Sequence, residues 1–323
     1  MFELKIKKSQ LEDLVKKMAL PYGQGKFVFD KIAPKFLPPK KLEGDAKKLE
    51  SDVKKLESDV KKLEGDAKKL ESDVKTPEDG VKKPENNGFL EWIAKNKNTT
   101  ALVRAQQLDI VGITAPLRIP FETEKLLDTL SFFDNDTILR FTHDEDASEE
   151  VFESTDEKRP CRMTMPSIVL ENITGMQEAF SAKIDTDGVV VFKDGSKPNM
   201  HVICDAGVFH QLITNTYKIM GSKKKDEIPN IYHVVFDGEH QFLRTIAGDD
   251  TDRAHRVFLD AVFTEKIEGN GAVHYAQGFQ EVMEVLDGEI NVSAVVDGPL
   301  WVVKRDNSIK AQYLISPATY KKD

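Results

Sequence analysis

Residues 272–317 read AVHYAQGFQEVMEVLDGEINVSAVVDGPLWVVKRDNSIKAQYLISP, and the order of patterns within them decides the fold. Residues 273–275 are short and extended. Phe279, Val282, Met283 and Leu286 then recur at helical spacing, and Asp287-Gly288 stops the helix. Ile290, Val292 and Ala294 alternate with Asn291, Ser293 and Val295. Asp297-Gly298 turns, residues 299–303 run back, Asp306-Asn307 turns again, and residues 309–315 form a last strand. One helix laid across an antiparallel meander is a complete unit of an α+β fold, because the apolar face of each covers the other.

The chain repeats this unit in pattern, though not in sequence. At the N-terminus Phe2, Leu4 and Ile6 alternate with charges, and Leu11, Leu14, Val15 and Met18 mark an amphipathic helix. Residues 102–120 give two extended segments, and residues 122–133 a second helix with Leu126, Leu127 and Leu130 on one side. Residues 137–142 and 160–170 return to strand. The second half opens alike. Residues 201–203 are a strand, and Phe209, Leu212, Ile213 and Tyr217 mark a helix. Residues 231–236, 241–247 and 254–263 are strands, and the unit at 272–317 follows. Strand, helix, strands thus occurs about four times, paired into two halves.

Residues 40–74 interrupt the first half with a seven-residue repeat, KKLEGDA or KKLESDV. Leu42, Leu49, Leu56, Leu63 and Leu70 alternate with Ala46, Val53, Val60, Ala67 and Val74 at heptad a/d spacing. A coiled-coil helix and a charge-balanced, partly helical spacer both fit, since Gly44 and Gly65 each weaken a helix by about 1 kcal/mol relative to alanine. Prolines on both sides (Pro34, Pro38, Pro39; Pro77, Pro84) bound the segment. The expected organisation is a first domain at 1–170 carrying an insertion at 32–98, whose residues 88–93 dock back through Phe89, Trp92 and Ile93. A connector follows at 171–199, with a hairpin arm at 189–192, and a second domain at 200–323. Residues 144–158 read as a long acidic loop, and residues 221–229 as a further polar excursion.

The 323 residues carry a net charge of −9, so bulk composition does not suggest a polyanion ligand, although charge distribution can reverse that locally. Two cysteines far apart, Cys161 and Cys204, fit a reducing compartment and small buried roles. No apolar run reaches the roughly eighteen residues of a membrane span, and the expectation is an intracellular protein without a membrane. No catalytic constellation holds. Gly23-Gln24-Gly25-Lys26 lacks the spacing and the Ser/Thr of a phosphate loop, there is no His-Glu-x-x-His or Cys-x-x-Cys, and the histidines are scattered. Asp249, Asp250, Asp252 and Arg253 read more simply as a hairpin turn than as an acid/base pair. No metal, cofactor or catalytic residue is expected.

Several segments in order resemble the two-domain DNA sliding clamps of the proliferating cell nuclear antigen type. Met1-Phe2-Glu3-Leu4-Lys5-Ile6, an amphipathic helix and Phe27-Val28-Phe29 are similar to that family's opening. Residues 102–111 resemble its LRAMDxSHV segment, with Gln106 and Gln107 in place of methionine and aspartate and Ile110 in place of histidine. Asn135-Asp136-Thr137-Ile138-Leu139 resembles the strand after its second helix. Gly298-Pro299-Leu300 and Gln312-Tyr313-Leu314-Ile315-Ser316-Pro317 resemble its PL turn and YYLAP ending. Thr214 stands where an inner-helix arginine is common.

The resemblance implies two similar clamp domains, each with antiparallel sheets outside and two helices lining a ring. It implies a homotrimer closed head to tail around double-stranded DNA, set there by a clamp loader. Such a ring is a processivity factor that tethers DNA polymerase and other proteins bearing clamp-binding motifs, in the cytoplasm or nucleoid, or in a nucleus. Ring-closing edges would be residues 159–168 of one subunit and 253–259 of the next, including Arg159, Cys161, Met163, Met165, Ala254, Arg256 and Phe258. DNA-facing candidates are Lys8, Lys16 and Lys17, then Lys125, then Lys218 with Lys223, Lys224 and Lys225. A partner-peptide pocket would be lined by Ile110, Ile173, Met176, Pro299, Tyr313 and Pro317. The alternatives are an accessory clamp paralogue needing other subunits, and an interaction scaffold built on the heptad arm.

Overall fold

The computed structural model describes residues 1–22, 26–38, 87–144, 146–147, 149–177, 182–185, 189–192, 194–219, 232–247, 256–257, 267–275, 279–305 and 309–317. Strand β1 (Phe2–Lys7) runs directly into helix α1 (Lys8–Ala19). No side chain caps that helix. Its first donors are met by the loop at 135–137, with Lys8 N–H donating to the Thr137 carbonyl at 2.8 Å and Ser9 N–H to that of Asn135 at 3.2 Å. It ends where Leu20 takes a left-handed φ of 53° and donates back to the Lys16 carbonyl. Then come β2 (Lys31–Ile32), β3 (Lys35–Leu37), β4 (Asn87–Lys95), β5 (Thr99–Val111), β6 (Leu117–Arg118) and β7 (Phe121–Glu122). Helix α2 (Thr123–Ser131), β8 (Ile138–His143), β9 (Glu149–Ser154) and β10 (Arg162–Pro166) complete the first half.

A single 3-10 turn (Leu170–Asn172) and the hairpin of β11 (Lys183–Ile184) with β12 (Val190–Val191) make up the described connector. The second half holds β13 (Met200–Asp205), α3 (Ala206–Ile219), β14 (Tyr232–Asp237), β15 (Phe242–Ala247), β16 (Arg256–Val257) and β17 (Asn270–Tyr275). It closes with α4 (Phe279–Glu284), β18 (Glu289–Ala294), β19 (Leu300–Arg305) and β20 (Ile309–Ile315). Helix α1 packs on α2, and α3 on α4.

The strand order repeats. One sheet path reads β10-β9-β8-β1 in the first half and β20-β19-β18-β13 in the second; the other reads β6-β3-β4-β5 and then β17-β14-β15-β16. The two halves are therefore copies of one topology. They are joined by an antiparallel seam in which β20 lies on β5, from Ile309 opposite Ala105 to Ile315 opposite Thr99.

The duplication extends to single residues. Gly112 (φ +82°) sits so close to β1 that an added Cβ would lie 2.1 Å from the Met1 carbonyl oxygen. Gly269 (φ +79°) sits the same way against the start of β13, 1.9 Å from that of Asn199. Only glycine satisfies both the dihedral and the approach. Strand β5 changes partner along its length, from β20 at 99–105 to β1 at 109–111. Its pairing with β4 shifts register between Gly88 and Leu90, and Gln107 in that stretch has φ 59°.

The N-terminal core gathers Phe2, Leu4, Leu14, Trp92, Phe121, Phe141 and Phe152. Phe209, Phe236, Val273, Phe279, Val282 and Val292 continue it in the second half. Two expectations change. The insertion is narrower than 32–98, because β3 and β4 are paired strands of the first domain and bury Phe36, Leu90, Trp92 and Ala94. The acidic stretch 144–158 contains a core strand rather than being all loop. β9 pairs with both β8 and β10, and Phe152 stacks on Phe141 with ring centroids 4.8 Å apart. The heptad repeat lies outside the described residues.

Candidate functional site

Two edge strands stand out. Among the described residues, β10 pairs only with β9, and β16 only with β15. Ser154 N–H donates to the Cys161 carbonyl at 2.8 Å, so Cys161 and, by alternation, Met163 and Met165 are the positions bonded to β9. Arg162 and Thr164 aim their backbone groups outward. Met165 is buried in the core, and Cys161 and Met163 pack half-buried against it.

Behind the β10 edge lies a polar anchor. Glu150 is fully buried, accepts from Ser167 Oγ at 2.8 Å, and stands 3.0 Å from His143 Nδ1. Such a carboxylate fixes β8, β9 and the segment after β10 to one another, since buried charge is tolerated only when its oxygens are satisfied. Beside the edge, Phe132, Phe133, Ile138, Arg159 and Cys161 line an open groove of about 480 Å³. Phe132 is 65% and Ile138 53% exposed there. Arg159 itself pairs with Asp134 at 3.1 Å. Arg256 lies in β16, while Ala254 and Phe258 lie outside the described residues.

The lysines divide sharply. Lys16 and Lys125 are the open ones, with side chains 47% and 53% exposed and ion pairs to Glu12 at 2.6 Å and to Glu122 at 2.7 Å. Lys8 and Lys17 are buried, against the expectation that they face a ligand. Lys8 Nζ donates to Glu12 and to Asn135 Oδ1 (2.8 Å for the latter), and Lys17 Nζ to Asp13. Each is held over its own helix by a carboxylate four residues away. Hydrogen bonds from Lys16, then Lys8, hold the Glu12 carboxyl below the usual carboxylate range. Lys218 lies in α3, with its side chain outside the described residues, as are Lys223, Lys224 and Lys225 altogether.

On the connector side, Met176 bridges Ala94, and Gln177 N–H donates to the Ile93 carbonyl at 3.0 Å, so the connector extends the end of β4. Met176, Pro299 and Pro317 are half-buried and Ile173 is buried. Ile110 and Tyr313 are corrections: both are closed inside the core and offer no surface to a partner. The Tyr313 hydroxyl donates to the Lys17 carbonyl at 2.9 Å, and burial, then Asp13, pushes its pKa well up. The strand alternates, so its opposite face belongs to Leu314. With Trp301, Val303 and Val295, Leu314 forms a separate apolar patch under the connector hairpin, where Phe192 meets Trp301 edge-on at 5.2 Å. The alternation of β19 and β20 was the available signal for these residues. Cys204 is buried as expected, its thiol pushed up to about 12, first by burial and then by Asp205.

Two pseudo-equivalent α+β halves, joined by a shared sheet and each carrying a helix pair, define the fold of the DNA sliding clamps. Its relatives in structure are of the proliferating cell nuclear antigen type. The structure of the C-terminal region of FEN-1 bound to A. fulgidus PCNA superposes with a TM-score of 0.61 over 100% of both chains, at 12% identity. The proliferating cellular nuclear antigen of Entamoeba histolytica superposes with a TM-score of 0.58 over 98% of this chain and 99% of that one, at 9% identity. No protein-family profile and no curated protein matches the sequence. No described helix is long and apolar enough to cross a membrane.

Proposed function

We propose that this chain is a DNA sliding clamp: a non-enzymatic ring of three copies that encircles duplex DNA. A loader sets it there, and it tethers DNA polymerase and other clamp-binding proteins. One observation carries the reading. Within the chain, β20 is joined to β5; by the repeated topology, the counterpart of β20 is β10 and the counterpart of β5 is β16. Both are terminal strands of their sheets, with no partner on the outer edge among the described residues. An antiparallel β10–β16 junction between copies would reproduce the internal seam, and repeating it head to tail would close a ring and remove the edges. The groove with Phe132 and Ile138 lies beside β10, where a neighbouring copy would cover it.

The deciding experiment is solution mass by light scattering on the full chain and on a version lacking residues 40–74. A mass of about three times 36.4 kDa in both is expected. A monomer, or a trimer lost with the heptad repeat, overturns the edge-strand account.

A further inference from the structure

The four described helices are poor in free positive charge for elements that would surround a polyanion. Helix α1 carries Lys8, Lys16 and Lys17 against Glu12 and Asp13. Helix α2 carries Lys125 against Glu124 and Asp128, α3 has Lys218, and α4 has Glu281 and Glu284. Carboxylates thus slightly outnumber ammonium groups. Helix α1 tightens the restriction through geometry. Its residues 8, 12 and 16 share one face, and the Glu12 carboxylate lies between the two lysines, taking Lys8 on one oxygen and Lys16 at 2.6 Å on the other. Lys8 is further tied to Asn135 Oδ1 and buried, and Lys17 is buried on Asp13. Only Lys16 of this helix is exposed, and it is already neutralised.

We infer that Glu12 is a positioning residue that limits the electrostatic hold on duplex DNA, by occupying the one α1 lysine that a phosphate could otherwise take. This rests on the clamp reading proposed above. A phosphate approaching Lys16 meets an ammonium whose charge is already balanced by a carboxylate that a second cation holds in place. Each lysine kept from a phosphate leaves counterions on the DNA, which lowers both affinity and salt dependence. Retention on DNA then depends on closure of the ring, and translocation is opposed by fewer ionic contacts.

The test measures binding of the assembled full-length protein to a fluorescein-labelled linear duplex by anisotropy across a potassium chloride series. The variants are Glu12→Gln, Glu12→Gln with Lys16→Gln, and Lys16→Glu. Glu12→Gln should bind severalfold more tightly at low salt and steepen the log K against log salt slope by about 0.9, the value of one added phosphate contact. The double variant should return the slope to that of the parent, a reversal that a general effect on helix stability would not produce. If Lys16→Glu weakens binding while Glu12→Gln leaves affinity and slope unchanged, the role of Glu12 is overturned and the clamp reading stands. If the trimeric parent and every variant fail to bind duplex at low salt, the clamp reading falls and this inference with it.

Discussion

The seam between β5 and β20 and the outer edges of β10 and β16, unpartnered among the described residues, occupy the same position in the repeated topology, one closed inside the chain and one open. In the closed copy β20 is an interior strand, bonded to β19 and to β5, and its Ala311, Tyr313 and Ile315 are fully buried. In the open copy β10 keeps one ladder and turns Arg162, Thr164 and Pro166 outward. The presence of a proline in β10 and none in β20 follows from this, because only an edge strand can spare an N–H. On the clamp reading proposed above, the difference separates a joint made in folding from one left for assembly.

The sharpest way to break the comparison is to put proline into both copies. Thr164→Pro removes an outward donor without touching the β9 ladder, and should leave a folded protein that light scattering finds at the mass of one chain, 36.4 kDa. Ala311→Pro removes a ladder bond from a strand paired on both sides, and should abolish the cooperative urea transition altogether. Next in size are the twin glycines. Gly112→Ala and Gly269→Ala each force a side chain into left-handed backbone against a carbonyl oxygen, and should each lose more than about 2 kcal/mol by urea unfolding. Unequal losses would mean that the two halves are less alike in energy than in shape.

Tyr313→Phe acts on the closed seam alone. It leaves the Lys17 carbonyl without its buried donor and should cost about 1–3 kcal/mol with assembly unchanged. Smallest is the effect of acid on Glu12. Its folded pKa is below the ordinary value of 4.5, so its contribution is fully present above that value and is lost as pH falls through the lower folded value. Stability measured below pH 4.5 should therefore fall less steeply in Glu12→Gln than in the parent.

Much of this was legible in the residues. The 272–317 unit lies where the spacing of Phe279, Val282 and Met283 and the turns at Asp297-Gly298 put it, because one face of each element must be apolar to reach the core. β9 was hidden because Glu149, Glu150 and Glu153 outweigh Val151 and Phe152 in composition, and because a buried Glu150 reads as surface until His143 and Ser167 are placed beside it. β4 was hidden by its neighbour, the heptad repeat, although Leu90, Trp92 and Ala94 alternate as a strand does. The lysines of α1 could be counted but not sorted, since a side chain four residues away decides which ammonium stays open. Tyr313 and Leu314 differ by one step of a period of two, and that step separates the interior from the face under the connector.

The seam also sets a timetable for biosynthesis. Residues 99–105 of β5 must await β20, whose residues are translated about 210 positions later. At roughly 5–20 residues per second, the β5 edge leaves the ribosome and stays unpaired for about 10–40 s. During that interval the nascent first half presents β5, which includes Leu102 and Val103, as an open template for strand addition. Chaperone occupancy on ribosome-bound chains should therefore peak while β5 is out and β20 is not, and fall when the last strand emerges.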